Sequence, residues 1–281
     1  MSRDAYADLT RRTGRPPIVM VTAYDYPTAR AAESGGADVI LVGDSAAMVV
    51  LGLAETTHYP LEAAELFTAA VARGAPTTAI VSDLTAGSYE AADADAVSAA
   101  RRLVAAGADA VKLEGGGAMC DRVRAIVADG IPVVGHLGLL PQSASATGGY
   151  VARARNADEA LALVADARAL VQAGISLLVL EAVPSEVAAA VTARVAVPVI
   201  GIGAGAACDG QVLVWHDLLG FGDGRPARFV RRYASLLDDA AAGIARFAAE
   251  VRAGHYPAAE HTYGMPAAER AAFLDRIARE R

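Results

Sequence analysis

Ionisable and hydroxyl side chains stand at the ends of most short apolar runs in this chain. The run VILVG (39–43) leads directly to Asp44 and Ser45. If the runs are parallel strands of a barrel, their carboxyl ends and the loops that follow them meet at one mouth. Equivalent positions in other runs hold Asp83, Lys112 with Glu114, His136 and Glu181. One such residue could simply be solvated or cap the next helix, but the set predicts a chemical site.

Converging carboxylates predict a metal ion. The acids of this set are Asp44, Asp83, Glu114 and Glu181. Like charges at one mouth repel each other, and a divalent cation relieves the repulsion. Oxygen ligands without a Cys or multi-His cluster favour Mg²⁺ or Mn²⁺, and Mg²⁺ usually keeps several waters. We expect one ion near the first three acids, held partly through water, with two positions open for a chelating 2-oxo acid whose neighbouring C–H becomes acidic.

Lys112 and Glu114 are two residues apart on one predicted strand, so their side chains point to the same face. One interpretation gives Glu114 to the metal and Lys112 to an anionic substrate. The alternative is an internal ion pair between the two that has no catalytic role.

His136 and Glu181 are the candidate proton-handling groups. His136 in VVGHLG suits a hydrogen-bond partner of the substrate or of a ligand better than a ligand itself, and a buried structural histidine is the alternative. Glu181 follows LLVL and precedes Ala-Val-Pro, an apolar setting that raises a carboxyl pKa toward that of a general base. Its alternative is a carboxylate at the start of the helix that VPSE begins.

The elements that would position these residues alternate regularly. Ala-rich segments with three- and four-residue apolar spacing and a terminal glycine indicate helices. Nearly continuous Val, Ile and Leu in the intervening runs is typical of strands buried on both faces of a parallel sheet. These runs are 18–25, 39–45, 77–83, 110–115, 131–138, 177–183, 197–205 and, with a weaker pattern, 211–217. The pattern predicts an α/β fold, a (β/α)8 TIM barrel, with a doubly wound open sheet as the alternative.

No Pro-, Gly- or Ser-rich linker divides the chain, which predicts a single barrel domain over residues 1–281 with a C-terminal helical extension from about 254. A long helix is expected from about 226 to 252. The glycines of GIGAG (201–205) loosely fit a dinucleotide fingerprint. They lie on the seventh predicted strand rather than the first, so we expect them to let a ligand approach the backbone.

Composition narrows the class of protein. The net charge of −7 argues against a nucleic-acid partner, and no apolar run is long enough for a membrane span. The two cysteines, Cys120 and Cys208, suggest neither a disulfide framework nor a zinc site. These features predict an ordered cytoplasmic protein without a membrane partner.

Several stretches, in this order, resemble the ketopantoate hydroxymethyltransferase family. They are VTAYDYPTA, LVGDSAAMVV, ARGAP, SDL, GSYEA, VKLEGG, GHLGLLPQS, GGY, LEAVPSE, PVIGIGAG, CDGQVLVWHD and YPAAEHTY, within residues 16–263. The resemblance implies a barrel of the phosphoenolpyruvate mutase/isocitrate lyase type and a homo-oligomer, usually a decamer. It also implies transfer of a one-carbon unit from 5,10-methylenetetrahydrofolate, the co-substrate, to 3-methyl-2-oxobutanoate, giving 2-dehydropantoate on the way to pantothenate.

The resemblance also implies roles for single residues. Mg²⁺ would be held by Asp44, Asp83 and Glu114, and the 2-oxo acid would be bound by Ser45, Asp83 and Lys112. The implied proton acceptor is Glu181, which would produce an enolate stabilised by the metal. The substrate-binding set that we predict is Asp44, Ser45, Asp83, Lys112 and His136.

The chain departs from the family pattern in loops at the barrel mouth. The usual Pro-Phe after the third-strand Asp-Leu is replaced by Thr85-Ala86, the stretch GLAETTHYP (52–60) is atypical, Ser145 replaces Asn, and ARAR fills 152–155. Loss of the Phe predicts an enlarged acceptor pocket and the same chemistry on a different or bulkier 2-oxo acid. Further alternatives are a metal-dependent C–C lyase, a Schiff-base aldolase using Lys112 and a non-catalytic barrel.

Overall fold

The computed structural model describes residues 2–10, 16–222, 224 and 226–280. They form two compact units, Met1–Ala234 and Ser235–Arg281. The predicted division into one domain with an extension from about residue 254 stays a prediction. Among the described residues, no helix is both long and apolar enough to cross a membrane.

The first unit contains a closed barrel of parallel strands. They are β1 (Ile18–Thr22), β2 (Val39–Val42), β3 (Ala79–Asp83), β4 (Ala110–Glu114), β5 (Val133–Gly138), β6 (Leu177–Glu181), β7 (Val199–Ile202) and β8 (Gly210–Leu213). Each strand pairs with its sequence neighbour, and β1 pairs with β8 through Ile18 opposite Gly210. The predicted barrel is confirmed, and the open sheet is wrong because its edge strands would remain unpaired.

Helices connect the strands and cover them. They are α1 (Ser2–Leu9), α2 (Tyr26–Ser34), α3 (Ala46–Val49), α4 (Leu61–Gly74), α5 (Asp93–Ala106), α6 (Met119–Ala128), α7 (Ala157–Ala173), α8 (Ser185–Thr192) and α9 (Trp215–Leu219). Local chemistry sets their ends: Asp25 and Thr28 form a capping box at the start of α2. Gly174, at φ 107°, ends α7 in the left-handed conformation.

Two predicted elements have different bounds. The run 211–217 is strand only to Leu213, because the Trp215 N–H donates to Thr22 Oγ1 at 2.9 Å and α9 begins there. The helix expected from about 226 begins instead at Leu236, as α10 (Leu236–Arg252). The described part of 226–235 is irregular, and it supplies Ala227 and Phe229 to the lining of the barrel mouth.

The barrel interior is filled by alternate residues of the strands. Val39, Leu41, Val179, Ile200 and Val212 belong to one buried cluster, and none of them is more than 7% exposed. A second and larger cluster lies between strands and helices. The interior is therefore packed apolar material below the mouth, as expected for this fold.

Aspartates join strands at the amino-terminal end of the barrel. Asp38 N–H donates to Val19 O, and Asp38 Oδ2 accepts the Val19 N–H, both at 2.8 Å. Asp109 makes the same two bonds with Ile80, at 2.8 and 2.9 Å. Asp209 bridges two strands by accepting from Val199 N through its side chain and from Ile18 N through its carbonyl. Each side chain satisfies one strand-end N–H that has no ladder partner.

The second unit consists of α10, a 3₁₀ turn at Ala259–His261 and α11 (Ala267–Arg279). Tyr256 packs edge-on against Phe247, with ring centroids 5.2 Å apart, and also contacts the ring of His261. Apolar side chains of both helices are exposed, among them Ile244 and Phe273.

Candidate active site at the barrel mouth

The carboxyl ends of the strands enclose a cavity of about 520 Å³. Asp44 follows β2, Asp83 ends β3, Lys112 and Glu114 lie on β4, His136 lies on β5 and Glu181 ends β6. All of these residues, together with Ser45, line the cavity. The structure therefore brings together every residue that the sequence predicted for the site.

Lys112 pairs with Asp83 rather than with Glu114. Its Nζ lies 3.0 Å from Asp83 Oδ1, and both side chains are buried. Burial alone would lower the pKa of Lys112, but Asp83 and Glu114 raise it above its usual range. Burial raises the pKa of Asp83 despite this partner. The predicted alternative of a Lys112–Glu114 pair is wrong, because the ammonium of Lys112 on β4 contacts Asp83 on the neighbouring strand β3 instead of Glu114 on its own strand.

His136 connects two glutamates. Its Nδ1 lies 3.4 Å from Glu114 Oε1, and its Nε2 lies 3.3 Å from Glu181 Oε2. Burial and Lys112 lower the pKa of His136, but contacts with the two glutamates outweigh them and raise it to about 9. Burial raises the pKa of Glu114, yet the contacts with His136 bring it below its ordinary value. The imidazole therefore links the acid of β4 to the acid that ends β6.

Asp44 lies in the most crowded position. Its backbone N–H donates to Asp83 Oδ2 at 3.0 Å, and its own Oδ2 accepts from Gln142 Nε2 at 3.0 Å. Burial, followed by repulsion from Asp83 and Glu114, raises the pKa of Asp44 to about 8. Uncompensated negative charge is thus concentrated at this residue.

Glu181 is the most accessible of the site's acids. Its side chain is 15% exposed, against 2% for Asp83 and 3% for Glu114. α8 begins four residues later at Ser185, with Glu186 in its first turn. The helix-start alternative is therefore wrong for Glu181, whose carboxylate faces His136 in the cavity.

The donor set fits a hard cation. Asp83 Oδ1 and Glu114 Oε1 are buried, and beyond the contacts with Lys112 and His136 they have no hydrogen-bond partner among the described residues. Within the described ranges, no three His, Cys, Asp or Glu side chains are spaced to hold an ion directly. Mg²⁺ keeps part of its water shell, so bound waters can bridge the distance between the ion and carboxylates that are too far apart to contact it directly.

Residues that the sequence reasoning missed complete the site. Tyr24 OH lies 2.8 Å from Ser45 Oγ and fixes the hydroxyl. Gln142 contacts Asp44 and, through its backbone N–H, Glu114 Oε2 at 3.0 Å. The sequence PQS, in the turn after β5, is the feature from which Gln142 could have been predicted. Phe229 has no sequence signal, because its segment is irregular and only the fold brings it to the mouth.

Two glycines of GIGAG lie in close contact with side chains from other parts of the protein. At Gly203, φ +62°, a Cβ would lie 2.6 Å from the Phe229 ring. At Gly205, φ +85°, it would lie 2.7 Å from Ser185 Cβ. The expected close approach is present, but its partners are protein groups rather than a ligand.

The loops that depart from the family pattern include two that contact each other. Thr85 is 2% exposed, and neither it nor Ala86 lines the cavity, because the Ser88 N–H and hydroxyl both donate to Thr85 O in a turn behind it. The expectation that loss of the family's Phe enlarges the acceptor pocket stays a prediction. Glu55 of GLAETT accepts a 2.7 Å hydrogen bond from Ser145, so two of the departures join across the mouth.

Comparisons with known proteins identify one family. A family model described as ketopantoate hydroxymethyltransferase matches residues 5–259. The 3-methyl-2-oxobutanoate hydroxymethyltransferase of Nitratidesulfovibrio vulgaris (strain DP4) is 48% identical over 95% of this chain and 88% of its own length. The protein of the same description from Cenarchaeum symbiosum (strain A) is 50% identical over 91% of this chain and 97% of its own.

Solved structures with low identity share the fold. The phosphoenolpyruvate phosphomutase of Streptomyces platensis subsp. rosaceus has a TM-score of 0.62 at 15% identity, covering 100% of this chain and 98% of that one. A 2,3-dimethylmalate lyase, described as a PEP mutase/isocitrate lyase superfamily member, has a TM-score of 0.59 at 18% identity, covering 98% and 99%. The predicted barrel type is confirmed.

Proposed function

We propose that the barrel mouth transfers a hydroxymethyl group to a 2-oxo acid by enolate chemistry, because this chain belongs to the ketopantoate hydroxymethyltransferase family. The chain is accordingly an enzyme, a transferase whose acceptor in its relatives' name is 3-methyl-2-oxobutanoate. Our proposals concern the roles of its residues, its metal and its one-carbon donor, 5,10-methylenetetrahydrofolate.

Substrate binding is proposed for the β2 and β4 side of the cavity. Lys112 remains an ammonium because carboxylates surround it, so it can pair with the anionic end of a 2-oxo acid. Ser45, oriented by Tyr24, can donate to the same end of the acceptor. Asp83 supports both by binding Lys112 and the Asp44 backbone N–H.

Asp44, Asp83 and Glu114 are the proposed holders of Mg²⁺, in part through water. When bound, the ion would draw electron density toward the keto oxygen of the acceptor and make the C3 proton more acidic. Three buried carboxylates line one cavity, and repulsion from Asp83 and Glu114 helps to raise the pKa of Asp44, which supports this assignment.

Glu181 is proposed as the general base. Its Oε2 lies 3.3 Å from His136 Nε2, which orients the carboxyl group, and its partial exposure to the cavity lets it reach a substrate C–H. Removal of the C3 proton to Glu181 leaves an enolate, which attacks the methylene carbon of the folate donor. That carbon is bonded to two folate nitrogens: the new C–C bond replaces one of these C–N bonds, and a C–O bond from water replaces the other. Each nitrogen regains one proton, one derived from C3 of the acceptor and one from the water.

The strongest support for this mechanism is the His136 bridge between Glu114 and Glu181. It places the partly exposed Glu181 on one side of the imidazole and Glu114, one of the metal candidates, on the other. A Schiff-base mechanism at Lys112 is disfavoured, because a nucleophilic amine must be neutral and this site stabilises the ammonium. A lyase or a bulkier acceptor remains an alternative that assays can separate.

The test measures product by mass spectrometry with Mg²⁺, 5,10-methylenetetrahydrofolate and a panel of 2-oxo acids. We expect 2-dehydropantoate from 3-methyl-2-oxobutanoate, and a fall of roughly 10²–10⁴ in kcat for Glu181→Gln. Glu186→Gln, in an exposed glutamate of α8, is the matched control and should retain wild-type kcat. Full turnover by Glu181→Gln would refute the base assignment, and preference for another 2-oxo acid would change the acceptor.

We also propose a cytoplasmic homo-oligomer. The exposed apolar side chains of α10 and α11, including Ile244 and Phe273, support self-association. Size-exclusion chromatography with light scattering should give a mass well above 28.7 kDa, and a decamer is the expected state.

A further inference from the structure

Gln142 lies just outside the cavity, on the 3₁₀ turn Pro141–Ser143 that follows β5. Its backbone N–H donates to Glu114 Oε2 at 3.0 Å, and its side-chain Nε2 donates to Asp44 Oδ2 at 3.0 Å. One residue of the β5 loop therefore binds carboxylates that belong to β4 and to the end of β2. Neither acceptor lies on β5 or in the loop that follows it.

The orientation of the Gln142 amide is fixed at both ends. Nε2 donates its second hydrogen to Leu84 O at 2.9 Å. Oε1 accepts from Tyr89 OH at 2.8 Å, and that hydroxyl accepts in turn from Glu114 N at 3.3 Å. A flipped amide would face two acceptors with its oxygen, so the partners allow only the arrangement in which Asp44 receives a donor.

We propose that Gln142 is a positioning residue that holds Asp44 and Glu114 in the geometry needed for the metal, with Tyr89 fixing its amide. The inference rests on the proposed metal site. Asp44 and Glu114 each use one oxygen for Gln142, which leaves Asp44 Oδ1 for the ion or its waters and leaves Glu114 Oε1 between His136 and the cavity. Partners of this kind outside the ligand set typically change metal affinity by about 10- to 100-fold when they are lost.

The test is calorimetric titration of the full-length protein with MgCl₂, together with steady-state kinetics at saturating Mg²⁺. Gln142→Glu keeps the shape of the side chain but places a carboxylate against Asp44. We expect its Mg²⁺ dissociation constant to rise by roughly 10- to 100-fold. We expect its KM for the 2-oxo acid at saturating Mg²⁺ to stay near the wild-type value, because Gln142 does not line the cavity.

Two further variants separate positioning from folding. Gln211→Glu is the matched control, since Gln211 is exposed and its Nε2 donates to the backbone carbonyl of Gly205; it should bind Mg²⁺ as the wild type does. Tyr89→Phe removes only the hydroxyl that fixes the amide, so it should weaken Mg²⁺ binding in the same direction and by less. This variant preserves the test if Gln142→Glu does not fold.

The outcomes are distinguishable. If the wild type binds Mg²⁺ and Gln142→Glu binds it equally well, the role of Gln142 is overturned and the metal assignment is kept. Tyr89→Phe serves as the same test where Gln142→Glu does not fold. An equal loss in Gln211→Glu also overturns it, because the effect would then follow added charge. A wild type that binds no Mg²⁺ overturns both this inference and the metal assignment on which it rests.

Discussion

Asp38 and Asp109, at the amino-terminal end of the strands, each accept a backbone N–H and return one of their own to the same residue. Asp44 and Asp83, at the carboxyl end, lie instead beside other acids, and the Lys112 ammonium contacts Asp83. The first arrangement pairs each aspartate with one backbone residue, whereas in the second the pKa of Asp44 is raised by burial and by repulsion from Asp83 and Glu114. The same residue type at opposite strand ends thus stabilises the barrel in one place and stores unfavourable charge in the other.

This contrast explains why function is assigned to one rim. Buried like charges lower stability unless something compensates them, and a site that retains them is a candidate for binding or catalysis. Lys112 and His136 compensate only part of the charge of the acids at the mouth, and burial with repulsion still raises the pKa of Asp44 to about 8. A bound cation would supply the rest.

The largest expected effect is that of Asp44→Asn. The new amide keeps an oxygen for Gln142 but loses the charge, so Mg²⁺ binding weakens and kcat/KM falls by a factor on the order of 10³, since a Lewis acid contributes several kcal/mol. The free energy of unfolding of the metal-free protein should stay equal or rise, because a repulsive charge is gone. Steady-state kinetics and urea unfolding measure the two effects. Activity near wild type would break the functional half of the comparison.

The opposite rim should respond in the opposite way. Asp109→Ala leaves the buried Ile80 N–H without an acceptor and should lower the free energy of unfolding by about 1–3 kcal/mol. Asp109→Asn retains an acceptor oxygen and is the matched control, with stability near wild type. Both variants should keep wild-type kcat and Mg²⁺ affinity below their melting temperatures. Loss of Mg²⁺ binding in folded Asp109→Ala would show that the two rims are not independent.

Much of this arrangement could be predicted from the sequence because apolar runs locate strands, and strands of a parallel barrel deliver their terminal residues to one mouth. Asp44, Asp83, Glu114 and Glu181 were accessible in this way. The pairing of Lys112 with Asp83 was not, because it depends on the register between β3 and β4.

Tertiary contacts decided the remaining errors. Trp215 reads as part of an apolar run, yet its N–H bonds to Thr22 and begins a helix. Gln142 reads as a turn residue, and only the fold shows that it reaches two acids of other strands.

The smallest expected effect is a pH dependence confined to the carboxyl rim. In the metal-free protein the pKa of Asp44 is raised to about 8 and that of His136 to about 9, so the folded state binds protons that the unfolded state releases. The stability contributed by these protons is complete below the unfolded-state pKa of each group and is lost as pH rises through the folded-state pKa. For His136 this stability is therefore lost between about pH 6.5 and pH 9. The stability contributed by the Asp44 proton is lost by about pH 8.

Urea unfolding in EDTA should accordingly show the free energy of unfolding falling over that interval. Asp44→Asn should make the slope shallower because one of the two groups no longer titrates, whereas Asp109→Ala should shift the whole curve downward without changing its slope. Saturating Mg²⁺ should flatten the wild-type curve, since a cation favours the ionised carboxylates that proton loss produces. If the dependence of the free energy of unfolding on pH is unchanged in Asp44→Asn and disappears in Asp109→Ala, the titrating groups lie at the amino-terminal end of the barrel, and the comparison of the two ends is wrong.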